Sequence, residues 1–156
     1  MVIAILGGRC CGKSDLAAAI CEKVHARVYT GRAYLDFAKD ETEGKVRFMA
    51  ELEAEQASDA YLIYLVTEPE LTELLPRTCL RVLCKAPKKT VKARFEAKLE
   101  EPLSPAVSAM LDRQYNAFDG CAHSMILDPT SGDTSMLAVE VLEEAQRLME
   151  HTNMPN

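Results

Sequence analysis

The stretch Met1-Val2-Ile3-Ala4-Ile5-Leu6-Gly7-Gly8-Arg9-Cys10-Cys11-Gly12-Lys13-Ser14-Asp15 organises the reading of the whole chain. Met1 to Leu6 is short, apolar and partly β-branched, as a buried parallel strand requires. Gly7 to Ser14 fits the pattern G-x-x-x-x-G-K-[ST], and a helix-forming run, Asp15 to Val24, follows it. A glycine-rich turn between a strand and a helix is a phosphate-binding loop, or P-loop. Gly7 and Gly12 permit the close turn and its left-handed angles. The backbone N–H groups of Gly8 to Ser14, Arg9, Cys10 and Cys11 included, are expected to wrap a β-phosphate, with the helix dipole adding to the field. Lys13 is expected between the β- and γ-phosphates, and the Ser14 hydroxyl on Mg²⁺. Asp15 is unusual beside a triphosphate; it caps the helix or holds a metal-bound water.

Outward from this segment, strands alternate with helices. Further strands are expected at Arg27–Thr30, Ala60–Thr67, Thr78–Ala86 and Ser124–Leu127. Tyr34–Gln56 reads as one or two amphipathic helices and Glu70–Leu75 as a short one. Lys88–Leu99, Ala106–Phe118 and Thr134–His151 read as longer helices, and the final HTNMPN as a frayed tail. This alternation predicts an α/β fold, a parallel sheet with helices on both faces. The connections are mostly short, and no internal repeat or linker interrupts them, so residues 1–156 are expected to form a single domain.

The 156 residues carry 18 Lys plus Arg against 24 Asp plus Glu, a net charge of −6. That balance argues against general binding to nucleic acid or anionic membranes. The opening apolar run is only five residues long (Val2–Leu6) with no basic flank, and no run reaches membrane-spanning length, so a cytoplasmic protein is expected. The six cysteines form no C-x-x-C pair and suit reduced thiols. Cys10 and Cys11 lie in the phosphate loop, where thiolate character and small-residue packing are both possible reasons for them. Cys121-x-His123 has only two metal-ligand types and reads as an incidental loop pair.

No guanine-reading Asn-Lys-x-Asp segment is present. The best strand ends in Thr67-Glu68, without the Asp or Asp-Glu ending usual in motor ATPases. Glu68 suits an acidic partner of Mg²⁺-bound water, a contact to substrate, or a helix-opening carboxylate. The helix after Pro87 carries Lys88, Lys89, Lys92, Arg94 and Lys98 against Glu96. Helical spacing puts Lys88 and Lys92 on one side and Arg94 on another. Phosphoryl transfer is catalysed mainly by positioned positive charge, and Arg94 and Arg113 are the expected guanidinium clamps. An acceptor site is expected at the carboxyl ends of the strands. There Arg32 suits an acceptor phosphate, Tyr34 a stacked base, and Asp36 the proton of an acceptor hydroxyl. A stripe of Ala138, Val141, Leu142, Ala145, Leu148 and Met149 packs on the sheet or supports a homodimer.

GGRCCGKS, VYTGRAYLDFAKDE, LIYLVTEPE, LRVLCKAP with KARF, and MLDRQYNAFD together resemble the cytidylate-kinase-like branch of the P-loop nucleoside monophosphate kinases. The resemblance runs from residue 1 to about residue 145. It implies a three-layer α/β/α P-loop NTPase fold with a five-stranded parallel sheet. It also implies ATP with Mg²⁺ as donor and a pyrimidine nucleotide such as CMP or dCMP as acceptor. In the resemblance a mobile lid maps to about Leu99–Phe118. Arg94 and Arg113 match phosphate-clamping arginines, and Pro129–Asp133 falls where the adenine base is held. A kinase of another small hydroxylated acceptor, and a nucleotide-binding regulatory module with little turnover, are the alternatives.

Overall fold

The computed structural model describes residues 1–153. Five strands form one all-parallel sheet: β1 (Val2–Leu6), β2 (Ala26–Thr30), β3 (Tyr61–Val66), β4 (Leu80–Cys84) and β5 (Met125–Leu127). Their spatial order is β2-β3-β1-β4-β5. β1 pairs with β3 from Val2–Leu62 to Leu6–Val66, and with β4 from Ile3–Leu80 to Leu6–Leu83. It is buried along its full length. That burial on both faces explains its unbroken apolar sequence.

Successive side chains of a strand point to opposite faces, and the core divides accordingly. Ile3, Ile5, Ile63, Leu65 and Val82 face α1 (Lys13–Cys21) and α5 (Thr134–Thr152), where Leu16, Ile20, Val141 and Ala145 meet them. Val2, Ala4, Leu6, Leu62, Tyr64 and Val66 face α2 (Glu41–Gln56), which contributes Phe48 and Leu52. The result is the expected three-layer α/β/α fold. The α5 stripe is thereby largely used against the molecule's own sheet: Ala138, Val141 and Ala145 belong to the core, with Leu142, Leu148 and Met149 packed beside it.

The segment Tyr34–Gln56 resolves into a short 3₁₀ turn, Ala33–Asp36, and the single helix α2. Pro69–Leu74 is also 3₁₀. α3 spans Lys88–Leu99 and α4 spans Pro105–Tyr115. These two helices build a small cluster of their own around Val91, Phe95 and Leu111. The expected tail begins later than predicted, because α5 continues through Thr152, whose hydroxyl donates to the Leu148 carbonyl. Residues 154–156 of that expectation lie outside the described residues. No helix of the described residues is long and apolar enough to cross a membrane.

Candidate phosphate-binding site and cleft

In a parallel sheet all strands end at the same edge, and the loops after them meet there. The loops after β1, β2 and β3 and the helix α3 enclose a cleft of about 820 Å³. Gly7 leaves β1 at φ +153°, Cys10 sits at φ +62° and Gly12 at φ +94°. A Cβ on Gly7 would lie 2.6 Å from the Cys84 carbonyl oxygen and 2.7 Å from the Cys11 sulfur. On Gly12 it would lie 2.8 Å from the buried Pro129. Both glycines are therefore required by contact as well as by angle.

Gly12 is the N-cap of α1 and supplies no side-chain hydrogen bond. By contrast α2, α4 and α5 are capped by Asp40, Ser104 and Asp133. The first-turn N–H groups of α1 thus face the cleft free of a capping side chain, the arrangement that favours an anion. Lys13 is buried at 8% exposure. Its ammonium donates to the carbonyls of Gly7 (2.8 Å) and Gly8 (2.6 Å) and approaches the Cys11 sulfur at 3.7 Å. Ser14 and Asp15 are exposed on the cleft wall. Asp15 does not cap α1; its Oδ2 accepts from Arg94 Nη1 at 3.3 Å.

Arg94 therefore stands beside the phosphate loop, on the cleft wall. On the far rim, Arg32 and Glu68 form a two-point pair: Nε to Oε1 at 3.2 Å and Nη2 to Oε2 at 3.4 Å. Glu68 raises the Arg32 pKa further above its ordinary value by that hydrogen bond. Lys98 and the exposed Arg9 also line the cleft. Five cationic side chains (Arg9, Lys13, Arg32, Arg94 and Lys98) thus face two carboxylates, Asp15 and Glu68.

Three predicted residues lie elsewhere. Tyr34 is buried at 3% exposure, because the 3₁₀ turn folds its ring into the core cluster of Phe48, Leu52 and Tyr64. Its hydroxyl meets Glu41 at 3.4 Å, and the Lys45 ammonium lies 5.2 Å from its ring centre. Asp36 closes the same turn, exposed and outside the cleft lining. Arg113 is exposed on α4, also outside that lining. The next residue, Gln114, takes its place. About 100° of helical rotation separates the two side chains. Gln114 packs against Gly8 and carries a buried Oε1 with no hydrogen-bond partner. Nothing in its residue type marked it; only the packing of α4 on the phosphate loop does.

Cys11, Cys79 and Cys84 are buried thiols. Burial raises the Cys11 pKa, with Lys13 only partly opposing it, so increased thiolate character is not found there. Burial likewise pushes Cys79 up to about 11. All six cysteines are free. His123 Nδ1 meets the backbone carbonyl of Cys121 at 2.8 Å, so that pair is a local turn contact. Ser14, exposed on the cleft wall in the first turn of α1, offers a hydroxyl oxygen of the kind that would hold a Mg²⁺ ion without a dedicated cage. When bound, the ion would neutralise charge on the phosphates. The loop from Pro129 to Asp133 lies against Gly12, with Asp128 accepting from the Thr130 N–H and hydroxyl.

No protein-family model matches the chain, and no curated protein matches its sequence. Solved structures share its fold. Shikimate kinase from Acinetobacter baumannii in complex with shikimate superposes with a TM-score of 0.61 at 15% identity, covering 99% of this chain and 95% of that one. A gluconokinase from Sinorhizobium meliloti 1021 gives 0.62 at 18% identity, covering 97% and 94%. Deoxyadenosine kinase from M. mycoides gives 0.54 at 13% identity, covering 95% and 100%. The chain has the α/β fold of these P-loop kinases.

Proposed function

We propose that the protein is an ATP-dependent phosphotransferase acting on a small-molecule acceptor, in the cytoplasm. The observation that carries this reading is one cleft with two chemically different walls. One wall is the phosphate loop, with Lys13, Ser14 and the uncapped start of α1. The other presents Arg32 and Glu68 at the ends of β2 and β3, with Arg94 and Lys98 above. Donor phosphates rest on the first wall and the acceptor meets the second. Lys13 and Arg94 stabilise charge as it develops on the transferred group. The segment 99–118 closes over both as a lid and excludes water. Arg113 enters the cleft only with that closure.

The sequence resemblance names a (deoxy)nucleoside monophosphate as acceptor. The shikimate- and gluconate-kinase folds equally suit another hydroxylated acceptor. A nucleotide-binding module with little turnover is the second reading. The pairing of Arg94 with Asp15 and of Arg32 with Glu68 favours it, since one edge of each guanidinium already meets a carboxylate. The test is ADP formation from ATP and Mg²⁺ in the presence of candidate acceptors, with products identified by mass. Lys13→Ala is expected to lower acceptor-dependent turnover by roughly 10³-fold, as loss of a charge on the transferring group does. ATP binding with no phosphorylated acceptor would establish the regulatory reading instead.

A further inference from the structure

We propose that the acceptor is a small hydroxylated anion, a hydroxycarboxylate in chemical class, and not a nucleotide. Arg32 binds its anionic group and Glu68 takes the hydroxyl proton. This rests on the kinase reading above and identifies the substrate of that same cleft.

A nucleobase is held by stacking on an exposed ring and by amide or carbonyl groups that read its edge. Among the described residues, the acceptor wall carries neither an exposed ring nor a side-chain amide. The aromatic rings nearest it in the chain, Tyr29, Tyr34 and Phe37, pack into the core cluster around Phe48. Tyr29 and Phe37 stand edge-to-face with Phe48, at 5.4 and 5.2 Å. The one aromatic residue lining the cleft among the described residues, Phe95, is buried at 9% exposure in the α3–α4 cluster. The one carboxamide lining it among the described residues, Gln114, packs on Gly8 at the donor wall.

The same wall suits a small anion. Glu68 engages the Nε–Nη2 edge of Arg32, which leaves the Nη1 side of the guanidinium free for a second carboxylate. The Arg32 side chain is 62% exposed and reachable. Lys98 adds a second cation with no carboxylate partner among the described residues. The cleft as a whole has a surplus of three positive charges in a chain of net charge −6. That exceeds what the magnesium complex of a nucleoside triphosphate requires.

Of the two carboxylates lining the cleft among the described residues, Glu68 is the one on the acceptor wall, and each of its oxygens keeps a second lone pair beside the Arg32 contact to accept from an acceptor hydroxyl. Asp15 stands beside the phosphate loop, paired with Arg94, and Asp36 lies outside the cleft. In the transfer, the acceptor oxygen bonds to the γ-phosphorus of ATP. The bond from that phosphorus to the β–γ bridging oxygen breaks and ADP leaves. The hydroxyl proton passes to Glu68 and then to solvent.

The experiment offers ATP and Mg²⁺ with three acceptor classes: shikimate, D-gluconate and D-glycerate; CMP, dCMP and AMP; and neutral cytidine and D-glucose. A phosphorylated hydroxycarboxylate is expected, with the other classes at least roughly tenfold poorer in kcat/KM. Glu68→Gln is expected to lower kcat by roughly 10²-fold or more with little change in acceptor KM, and Glu68→Asp to recover part of it. Arg32→Ala is expected to raise the acceptor KM and leave that of ATP unchanged. Calorimetry with ADP, Mg²⁺ and the preferred hydroxycarboxylate gives a readout independent of turnover, and Arg32→Ala is expected to abolish that heat. Preferential phosphorylation of CMP or cytidine would overturn this inference and leave the kinase reading standing. Full activity of Glu68→Gln would overturn its role as base. Nucleotide binding without phosphorylation of any class would overturn both.

Discussion

Gly7 shows how one residue can be required by two independent constraints. Its φ of +153° lies where a side chain is strained, and its missing Cβ is replaced in space by the Cys84 carbonyl. That carbonyl belongs to β4 and cannot move without disturbing the sheet. Gly7→Ala is expected to cost about 2–3 kcal/mol of stability in urea unfolding. Gly31→Ala is the control: its φ is +45° but nothing lies within 4 Å, so about 1 kcal/mol is expected. Equal losses would show that angle alone, without the contact, sets the requirement. The motif Gly7–Ser14 was legible because its chemistry follows from residue type at fixed spacing. The partners of its neighbours were not. Arg94 reaches Asp15 across 79 positions, and Arg32 reaches Glu68 across 36, separations that no local pattern encodes.

Among the elements, α2 depends on its ends and on one face. Asp40 accepts from the Glu43 N–H at 2.9 Å and starts the helix after the 3₁₀ turn. Phe48 and Leu52 then anchor it to the sheet at 0% exposure. Asp40→Ala is expected to cost about 1 kcal/mol, read as a lowered unfolding midpoint, because one first-turn donor loses its partner. An unchanged midpoint would show that packing of Phe48 and Leu52 alone sets where α2 begins. Periodicity placed α3 and α5 within a residue or two, since a helix that buries one face must repeat its apolar positions, but it read Tyr34–Gln56 as one or two helices where α2 is only Glu41–Gln56. It did not separate 3₁₀ from α at Ala33–Asp36. That turn is set by how Tyr34 packs, and its burial removes a residue that sequence placed at the acceptor site.

On the scale of the molecule, charge is distributed unevenly. The chain is acidic overall, yet the cleft is positive. Affinity for the magnesium complex of ATP is therefore expected to fall roughly tenfold between about 0.05 and 0.5 M salt, measured by calorimetry, as exposed cations are screened. An affinity independent of salt would mean that the backbone N–H groups and buried Lys13 carry the binding alone. Composition determined the net charge, and the strand–loop–helix order determined the parallel sheet and the place of the phosphate loop. Those properties depend on residue type and on spacing along the chain. The choice of Gln114 over Arg113, the burial of Tyr34, the exclusion of Asp36 and the two arginine–carboxylate pairs were decided only by tertiary structure. They depend on which helix face meets which loop once the sheet has brought distant segments to one edge.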